Sequence, residues 1–327
     1  MTDLSIIIVC YKGWDRLYKC LDSLSSPGGE DLIAEVIVVD NDSGDSVFEK
    51  IAEKYPRFRF ISNKVNGGFA NGSNLGAAHS TGDHLLFLNP DTVASWQAVG
   101  ELLRTAKKQK GPALLSCRQV NASGKECVAT GQFPSLHNLT GFLRAIFKSP
   151  EPRLMPGNPD ILLPDWTSGS VMLMSHDTFN LLKGFDEDFW MYYEDVDICR
   201  RLRNAGGEIL FTRSVTIEHN HGGSSRINLK TTSLTKTEVI ISRHLYISKN
   251  KKGFEKYLIE ALLVINNLVT GLITALAGLA LFFVPKVFSR TLIFFRLTGY
   301  YLNCLSHLTW ISPRSVNYTR KKQSQGI

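Results

Sequence analysis

The amino-terminal part of the chain alternates between short apolar runs and amphipathic stretches, and this alternation limits the possible folds more than any other feature. The first of these runs is apolar on both faces, as a strand buried in a parallel sheet must be, and the others likewise predict strands. They are Leu4–Cys10, Glu35–Asp40, Phe58–Ile61 and His84–Leu88. The stretches between them predict helices over Tyr11–Leu24, Val47–Tyr55 and Gly72–His79. Such alternation predicts an α/β fold with a doubly wound, mostly parallel sheet and helices on both faces.

Polar residues come directly at the ends of several predicted strands. Tyr11 follows the first strand, Asp40 and Asn41 end the second, and Asn89 and Asp91 follow the fourth. In open α/β sheets, ligands bind at the carboxyl ends of the strands. These residues therefore predict a binding site at one edge of the sheet.

The Asn89–Pro90–Asp91 sequence ends the fourth strand with a carboxylate. Mg²⁺ and Mn²⁺ prefer hard oxygen ligands of this kind and complete their coordination with substrate phosphates. An Asn-Pro-Asp sequence also commonly starts a helix, so helix capping is the alternative role for Asp91. The residues by themselves leave both roles open.

Acidic and aromatic residues interleave between Gly184 and Asp197, just before a predicted helix that begins near Asp195. A carboxylate at a helix start is favoured in its ionised form by the helix dipole, and it can accept a proton from an alcohol nucleophile. Carboxylates beside flat rings such as Trp190 are typical of a sugar site. The alternative interpretation is a solvated acidic turn with Trp190 in the core.

His219 lies at the end of a predicted strand in which Val215, Ile217 and His219 share one face. Imidazole is a common metal ligand, although a histidine at a strand end is more often structural. The glycine-rich turn Asn66–Gly76 could direct backbone amides at a phosphate, and it is weak evidence by itself.

Two parts of the chain have turn-rich compositions. Residues 127–164 predict a mobile segment over the site, and residues 221–237 predict a flexible loop rich in Gly, Ser and Thr. The sequence therefore predicts a catalytic domain over residues 1–237 and a helical, membrane-associated region over residues 238–327.

The carboxy-terminal region contains two apolar stretches. Ala261–Val284 has no charged residue and would span ~36 Å as a helix, enough for the apolar core of a bilayer. Thr291–Ile311 is interrupted by Arg296 and His307. With basic residues on both flanks, the pattern predicts membrane association, by spanning or by lying in the interface.

The net charge and the cysteines indicate the class of partner and the cellular location. The net charge of +7 suits an anionic partner, which could be nucleic acid, a nucleotide or acidic lipid. The six cysteines show no C-x-x-C spacing, and the start of the chain has no secretory pattern. We therefore expect the catalytic domain at the cytoplasmic face of the inner (plasma) membrane.

These stretches, in order, resemble the inverting family-2 glycosyltransferases of the GT-A fold, particularly the bacterial rhamnosyltransferase-like branch. The segments that carry the resemblance are Ile7–Tyr11, Val38–Ser43, Asn66–Gly76, Leu88–Asp91, Asp165–Trp166 with Gly169, Gly184–Glu187, Met191–Tyr192, Glu194–Asp197, His219 and Gly222–Ser225. Each motif alone is only weakly specific for this family, but the whole set in this order is highly specific.

The resemblance implies a role for each matched position. It implies Asp195 as the catalytic base, paired with Glu194, and Asp91 with His219 as ligands of Mg²⁺ or Mn²⁺. The donor-binding residues it implies are Tyr11, Asp40, Asn41, Asn66, Gly67, Asn74 and Asn89, and those on the acceptor side are Asp165, Trp166 and Trp190. Asn89 stands where the family has the first acid of D-x-D, so Asp83 or the donor diphosphate would have to compensate.

The implied reaction is transfer of a sugar from a nucleotide-diphosphate donor, by single displacement with inversion, to a hydroxyl of a lipid-linked or surface glycan such as O-antigen or cell-wall polysaccharide. By resemblance the donor is dTDP-rhamnose, with UDP-sugars next. Membrane is an expected partner and nucleic acid is not.

Two other functions compete with this hypothesis. A non-catalytic, membrane-docked module would have lost acid, base or ligand positions, but Asp91, Asp195 and His219 are all present. Transfer directly to polyprenyl phosphate would need no general base. A nicotinamide-dependent dehydrogenase is disfavoured because Tyr11-Lys12-Gly13 follows the first strand instead of the dinucleotide fingerprint.

Overall fold

A computed structural model of the 327-residue chain describes residues 2–26, 32–139, 151–220 and 228–318. The chain divides into two compact units. The first, here called the sheet unit, comprises Met1–Phe133, Pro150–Asp186 and Glu194–Gly223; the second, the helical unit, comprises Pro134–Ser149, Glu187–Tyr193 and Ser224–Ile327. This division differs from the predicted boundary at residue 237, and a short segment before Glu194 groups with the carboxy-terminal helices.

The sheet unit contains a mixed sheet of ten strands among the described residues. The strands of the chain are β1 (Leu4–Cys10), β2 (Ala34–Asp40), β3 (Arg59–Ser62), β4 (His84–Leu88), β5 (Thr92–Val93), β6 (Ala113–Val120), β7 (Thr130–Gly131), β8 (Arg153–Met155), β9 (Asn158–Leu163), β10 (Trp166–Thr167), β11 (Val171–Ser175) and β12 (Glu208–His219). Their order is β3-β2-β1-β4-β11-β6-β12-β9-β8, with β5 on β12, and β7 pairs with β10 separately.

The directions of the strands bring several termini to one edge. Strands β1 to β4 of this sheet pair in parallel, β6 pairs in parallel with β12, and β11 runs antiparallel to both β4 and β6. The carboxyl ends of β1, β2, β4, β6 and β12 therefore lie at the same edge as the amino end of β11. The α/β prediction is confirmed, with more antiparallel pairing than the sequence pattern indicated.

Helices cover both faces of the sheet because the strands are apolar on both faces. The helices of the described residues are α1 (Trp14–Ser25), α2 (Val47–Lys54), α3 (Gly68–Ala78), α4 (Trp96–Lys107), α5 (Leu136–Leu139), α6 (His176–Leu181), α7 (Glu194–Asn204), α8 (Leu229–Asn250), α9 (Gly253–Ala280) and α10 (Pro285–His307). Ile6 and Ile8 of β1 pack with residues of α1, α2 and α4, whereas Ile7 packs with residues of α3, α6 and α7. This three-layer core fixes the strands whose ends form the site.

The two segments predicted as a mobile segment and a flexible loop, residues 127–164 and 221–237, both contain regular secondary structure in part. Within residues 127–164, β8 and β9 form an antiparallel pair, and β9 extends the sheet at β12. Residues 140–150 of that segment lie outside the described residues. Within residues 221–237, residues 221–227 are likewise outside them, but α8 begins at Leu229.

The start of α8 has a clear physical cause. The side chain of Asn228 accepts a hydrogen bond from the backbone N–H of Thr231 and caps the helix. The hydroxyl of Thr237 donates to the carbonyl of Ser233. A Ser/Thr-rich composition thus satisfies its hydroxyl groups along the helix itself, so it does not require a loop.

In the helical unit, α8, α9 and α10 pack together around a buried polar cluster. The ring of His244 pairs with the carboxylate of Glu260 through Nδ1, and its Nε2 lies 2.9 Å from the hydroxyl of Tyr301. The amide of Asn267 donates to the same hydroxyl at 3.0 Å. Asn267, which lies inside the apolar stretch Ala261–Val284, therefore has a partner between the helices.

Helix α9 is, among the described residues, the one helix long and apolar enough to cross a membrane by length and composition. Its apolar side chains remain largely exposed; among the exposed ones are Ile265, Val269, Leu272, Ile273 and Leu276. An apolar helix face of this length is unusual on a protein surface in water.

Candidate active site

Asp91 and His219 lie together at the carboxyl edge of the sheet. The ring Nε2 of His219 is 3.2 Å from Oδ1 of Asp91 and 3.5 Å from the side-chain nitrogen of Asn89. Strand β5, which follows Asp91, pairs with the end of β12 and aligns Thr92 with His219. The structure thus brings together the two residues predicted as metal ligands.

Gln119, near the end of β6, is a site residue that sequence analysis missed. Its side-chain oxygen is 2.8 Å from Nδ1 of His219 and accepts a hydrogen bond from the hydroxyl of Ser170 at 2.7 Å. A carbonyl oxygen only accepts, so Nδ1 of His219 carries a proton, and in a neutral ring Nε2 presents its lone pair to Asp91. Only the pairing of β6 with β12 indicates this contact; an isolated glutamine in a strand has no recognisable motif.

The donor set at Asp91 and His219 fits a divalent cation. In that tautomer the lone pair on Nε2 of His219 faces the carboxylate of Asp91 at 3.2 Å. Two electron-rich groups repel each other, and a cation bound to both would stabilise this arrangement. Oxygen and imidazole nitrogen together suit Mn²⁺, and oxygen suits Mg²⁺. Within the described ranges, no group of three His, Cys, Asp or Glu side chains forms a metal site, so further ligands would come from substrate or water.

Asp83 does not replace the acid missing at Asn89. It precedes β4, and its backbone N–H donates to the carbonyl of Thr2 at the amino edge of the sheet. The length of β4, five residues, separates it from Asp91 by about 17 Å at ~3.3 Å per residue. The proposed compensation by Asp83 is therefore wrong.

Asp195 lies in the first turn of α7, as the apolar spacing predicted. One carboxylate oxygen accepts the backbone N–H of Gly169 at 3.0 Å, and the other accepts the backbone N–H of Val196 at 2.8 Å. Burial raises the pKa of Asp195 above its ordinary value, and the two backbone donors oppose that shift. The carboxylate is therefore held in one orientation and remains basic enough to accept a proton.

The neighbouring Glu194 has a different environment. It is buried, and its Oε2 has no hydrogen-bond partner among the described residues. Burial and the charge of Asp195 raise the pKa of Glu194 well above its ordinary value. Because the backbone donors stabilise the charge on Asp195, Glu194 is the member of the pair that retains the proton.

The Gly169–Ser170 dipeptide, just before β11, connects the two groups. Gly169 donates to Asp195, while the carbonyl of Ser170 accepts the backbone N–H of Asn89 at 3.0 Å. The hydroxyl of Ser170 donates to Gln119, which holds His219. A two-residue segment of backbone thus fixes the carboxylate of Asp195 relative to the Asp91–His219 pair.

At the end of β2, the carboxylate of Asp40 forms hydrogen bonds within its own loop. Its oxygens accept the hydroxyl of Ser43 at 2.5 Å and the backbone N–H of Ser43 at 3.1 Å. Burial raises the pKa of Asp40, and the Ser43 hydrogen bonds oppose the shift. Tyr11, at the end of β1, is 44% exposed and remains accessible to a ligand.

Asn41 is buried in an amide network instead of facing solvent. Its side chain donates to the carbonyl of Gly68 at 2.9 Å and to the side-chain oxygen of Asn66 at 3.3 Å, and it accepts from Asn63 at 2.8 Å. Asn41 thus ties the glycine-rich turn around Gly67 to the sheet. Its contact with a donor stays a prediction, and its observed role is to hold the turn.

Asn74 and the glycines of α3 also serve packing. The amide of Asn74 accepts the N–H of Phe185 and donates to its carbonyl, both at 2.9 Å. A methyl group on Gly76 would lie 2.5 Å from Ile7, so that glycine lets α3 approach β1 closely. These two hydrogen bonds hold the backbone of Phe185 against α3, and the predicted contact of Asn74 with a donor stays a prediction.

Asp165 and Trp166 stabilise a small two-stranded sheet of β7 and β10. The carboxylate of Asp165 accepts the backbone N–H of Phe133 at 3.0 Å, and the indole N–H of Trp166 donates to the carbonyl of Gln132 at 2.8 Å. Both residues are partly exposed. Their role in binding an acceptor stays a prediction.

Trp190 lies in the helical unit and is only 4% exposed. The guanidinium of Arg314 lies 5.1 Å from the centre of its ring. A ring that is buried against a cation has no face for a sugar. The prediction of Trp190 as a sugar-stacking residue is therefore wrong, and its core role is observed.

Comparison with known proteins agrees with this site. Residues 5–161 match the family model for glycosyl transferase family 2, and residues 159–221 match the model described as the N-terminal domain of galactosyltransferase. The protein is a glycosyltransferase with a family 2 domain. Together the two matched ranges of this glycosyltransferase include Asp91, Asp195 and His219.

Curated relatives of the glycosyltransferase include two rhamnosyltransferases. Rhamnosyltransferase WbbL of Escherichia coli is 28% identical over 210 residues, which are 62% of this chain and 77% of that protein. The N-acetylglucosaminyl-diphospho-decaprenol L-rhamnosyltransferase of Mycobacterium tuberculosis is 26% identical over 248 residues, which are 69% of this chain and 78% of that protein.

Solved structures support the GT-A fold. The mannosyltransferase PcManGT from Pyrobaculum calidifontis, in complex with GDP-Man and Mn²⁺, superposes with a TM-score of 0.53 at 13% identity. The match covers 90% of this chain and 85% of that one. At this identity the likeness concerns the fold alone.

Proposed function

We propose that this glycosyltransferase moves a sugar from a nucleoside-diphosphate donor to a hydroxyl group of a lipid-linked or surface glycan, with inversion. The observation that carries the proposal is the Gly169–Ser170 dipeptide, which joins Asp195 to the group around His219. A base and a pair suited to a cation are thereby held at one sheet edge. Displacement of a diphosphate by an alcohol needs both.

Asp195 would act as the general base. Its carboxylate takes the proton of the acceptor hydroxyl while that oxygen forms a bond to the anomeric carbon. The bond from the anomeric carbon to the phosphate oxygen breaks, and its electron pair leaves with the nucleoside diphosphate. Attack from the side opposite the leaving group inverts the configuration.

Asp91 and His219 would hold Mn²⁺ or Mg²⁺. When bound, the cation supplies positive charge that stabilises the departing diphosphate. Gln119 supports this role because it fixes the ring of His219 with Nε2 toward Asp91. Asn89 provides a neutral amide beside the pair in place of a second carboxylate.

The donor is proposed to bind along the carboxyl ends of β1, β2 and β4. Tyr11 and Asp40 would contact the nucleoside, and Asn66, Gly67 and Asn89 would line the path toward the cation. The first donor to test is dTDP-rhamnose, because two relatives are named rhamnosyltransferases. UDP-sugars are the second choice, and Asp165 and Trp166 are proposed for the acceptor side.

The site is proposed to work at the cytoplasmic face of the plasma membrane. Helix α9 has the length and composition of a membrane helix, and its apolar side chains are exposed. A mycobacterial relative is named for a decaprenyl-diphosphate-linked substrate. A membrane-bound enzyme can reach an acceptor that is itself held in the lipid.

The test uses the full-length protein purified in detergent. It is incubated with dTDP-rhamnose, UDP-N-acetylglucosamine, UDP-glucose or GDP-mannose, each with Mn²⁺, with Mg²⁺ or with EDTA. The acceptors are polyprenyl-diphosphate-linked N-acetylglucosamine and polyprenyl phosphate, and products are analysed by mass spectrometry and NMR. We expect metal-dependent transfer to the sugar hydroxyl with inverted anomeric configuration.

Two results would contradict the proposal. Transfer at full rate in EDTA would exclude the metal role of Asp91 and His219. Transfer only to polyprenyl phosphate, together with full activity of Asp195→Asn, would instead identify a polyprenyl-phosphate sugar transferase.

A further inference from the structure

Residues 187–193 form the only part of the chain between Asp165 and Glu218 that groups with the carboxy-terminal helices. The segment ends at Tyr193, and α7 begins with the next residue, Glu194. Asp195 is the second residue of that helix. The position of the segment therefore constrains where the catalytic helix starts, because the two are joined by a peptide bond.

Contacts from α8 and from residues 312–318 hold almost every residue of the segment. The carboxylate of Asp188 pairs with Lys249 at 2.6 Å and accepts the side-chain amide of Asn317 at 2.9 Å. The carbonyl of Glu187 accepts the hydroxyl of Ser315 at 2.7 Å. The first half of the segment is thus fixed by charge and by hydrogen bonds.

The second half is held by aromatic and backbone contacts. The carbonyl of Met191 accepts the hydroxyl of Ser242 at 2.8 Å, and the hydroxyl of Tyr193 accepts the Nε–H of Arg243 at 3.0 Å. The ring of Tyr193 also packs against that of Tyr246, with 5.7 Å between centres. These partners all lie on α8.

The backbone of the segment ends in an unusual conformation. Tyr192 and Tyr193 have φ values of 71° and 67°, in the left-handed region that bulky residues rarely adopt. Such a conformation persists only where surrounding contacts determine it. The contacts from α8 therefore have a task beyond packing, since they maintain a strained turn directly before the base.

We propose that Lys249 and Arg243 of α8 are positioning residues for catalysis, which hold the 187–193 segment and so fix the start of α7 and the orientation of Asp195. The inference rests on the proposed role of Asp195 as the base. It gives the helical unit a second role besides membrane association. Lys249 and Arg243 would act through the segment and not by contact with the reacting atoms.

The test compares Lys249→Ala with Lys251→Ala in the full-length protein in detergent. Lys251, between α8 and α9, pairs with Glu255 of α9, so its loss removes an ion pair without touching the segment. We expect Lys249→Ala to lower kcat about tenfold or more, because small misplacements of a catalytic group are costly. The affinities for nucleoside diphosphate and Mn²⁺ should be unchanged, and Lys249→Arg should restore most of kcat.

Hydrogen exchange gives a readout that does not depend on turnover. Lys249→Ala should speed exchange at the amides of Tyr192–Val196 and leave β1 and β4 protected, whereas Lys251→Ala should match the parent protein. Unchanged exchange overturns the proposal, as does faster exchange with unchanged kcat. Loss of protection throughout the sheet, or an equal loss of donor affinity, also overturns it because the effect is then general unfolding.

Asp195→Asn is measured in parallel to separate the two proposals. Full activity of Asp195→Asn rejects the base assignment, whatever Lys249→Ala does. An inactive Asp195→Asn with a fully active Lys249→Ala leaves the base in place and rejects only the positioning role.

Discussion

The carboxylate of Asp195 lies 3.0 Å from the backbone nitrogen of Gly169 and accepts its hydrogen bond. This contact joins the first turn of α7 to the amino end of β11. The adjacent residue, Ser170, binds Asn89 and Gln119. A backbone contact of this kind explains how a carboxylate on a helix is held relative to side chains at the ends of two strands.

The proposed general base, Asp195, can be tested by removing its ability to accept a proton. Asp195→Asn keeps the shape of the side chain but cannot take a proton, so kcat should fall by ~10² or more while donor affinity changes little. Steady-state kinetics with saturating donor and acceptor would measure it. An active Asp195→Asn beside an inactive Glu194→Gln would mean that the two carboxyl groups have the opposite roles.

Glu194→Gln should be tolerated. Burial and the charge of Asp195 raise the pKa of Glu194 well above its ordinary value, which favours its neutral, protonated form. Glutamine reproduces that neutral form, so kcat should stay within a fewfold of the parent value. Circular dichroism of the variant would show whether any loss of activity reflects folding instead.

The pH dependence of kcat should follow Asp195. Only the ionised carboxylate can act as a base, so kcat should be constant at high pH and fall as pH decreases through the pKa of Asp195. Burial raises that pKa, which places the acid limb above the range of an exposed aspartate. An acid limb at the ordinary aspartate pKa would contradict the buried geometry.

Gln119→Leu should weaken metal binding. Loss of the carbonyl that orients His219 should reduce Mn²⁺ affinity by about 10- to 100-fold, as for other residues that orient metal ligands. Titration followed by electron paramagnetic resonance measures free Mn²⁺ without turnover. Gln109→Leu, just after the end of α4, is the matched control and should bind Mn²⁺ normally.

Two glycine substitutions should change stability in opposite directions. Gly76→Ala places a methyl group 2.5 Å from Ile7 and should lower the free energy of unfolding by ~1–3 kcal/mol. Gly100→Ala, in the middle of α4, meets only Leu32 at 3.5 Å and should raise it by ~0.5–1 kcal/mol. Urea denaturation of both variants measures the difference, and equal effects would show that α3 does not pack on β1 as described.

Membrane association should depend on the exposed face of α9. Washing with salt and then carbonate should leave the parent protein in the membrane, and replacing Ile265, Leu272, Ile273 and Leu276 by glutamine should release it. Point substitutions are preferable to removal of residues after Thr237, because α8 holds the 187–193 segment. Val128→Gln, an exposed apolar residue of the sheet unit, is the control. A parent protein found wholly in the soluble fraction would refute membrane association.

Local sequence patterns were sufficient to place Asp91, Asp195 and His219 at the ends of their strands and helix. Apolar runs predicted the strands, the polar residues at their ends included Asp91, and helical spacing placed Asp195 in the first turn of α7. These features depend on neighbours within a few residues, so the sequence determines them directly. Alternation along one strand likewise put His219 at its end.

Tertiary structure decided how these residues are supported. Gln119 and His219 are 100 residues apart and meet only because β6 pairs with β12. Trp190, whose residue type suits a sugar, is instead buried, and α8 holds the segment before Asp195. No local pattern encodes such contacts, because they depend on the order of strands in the sheet and on which helix covers which segment.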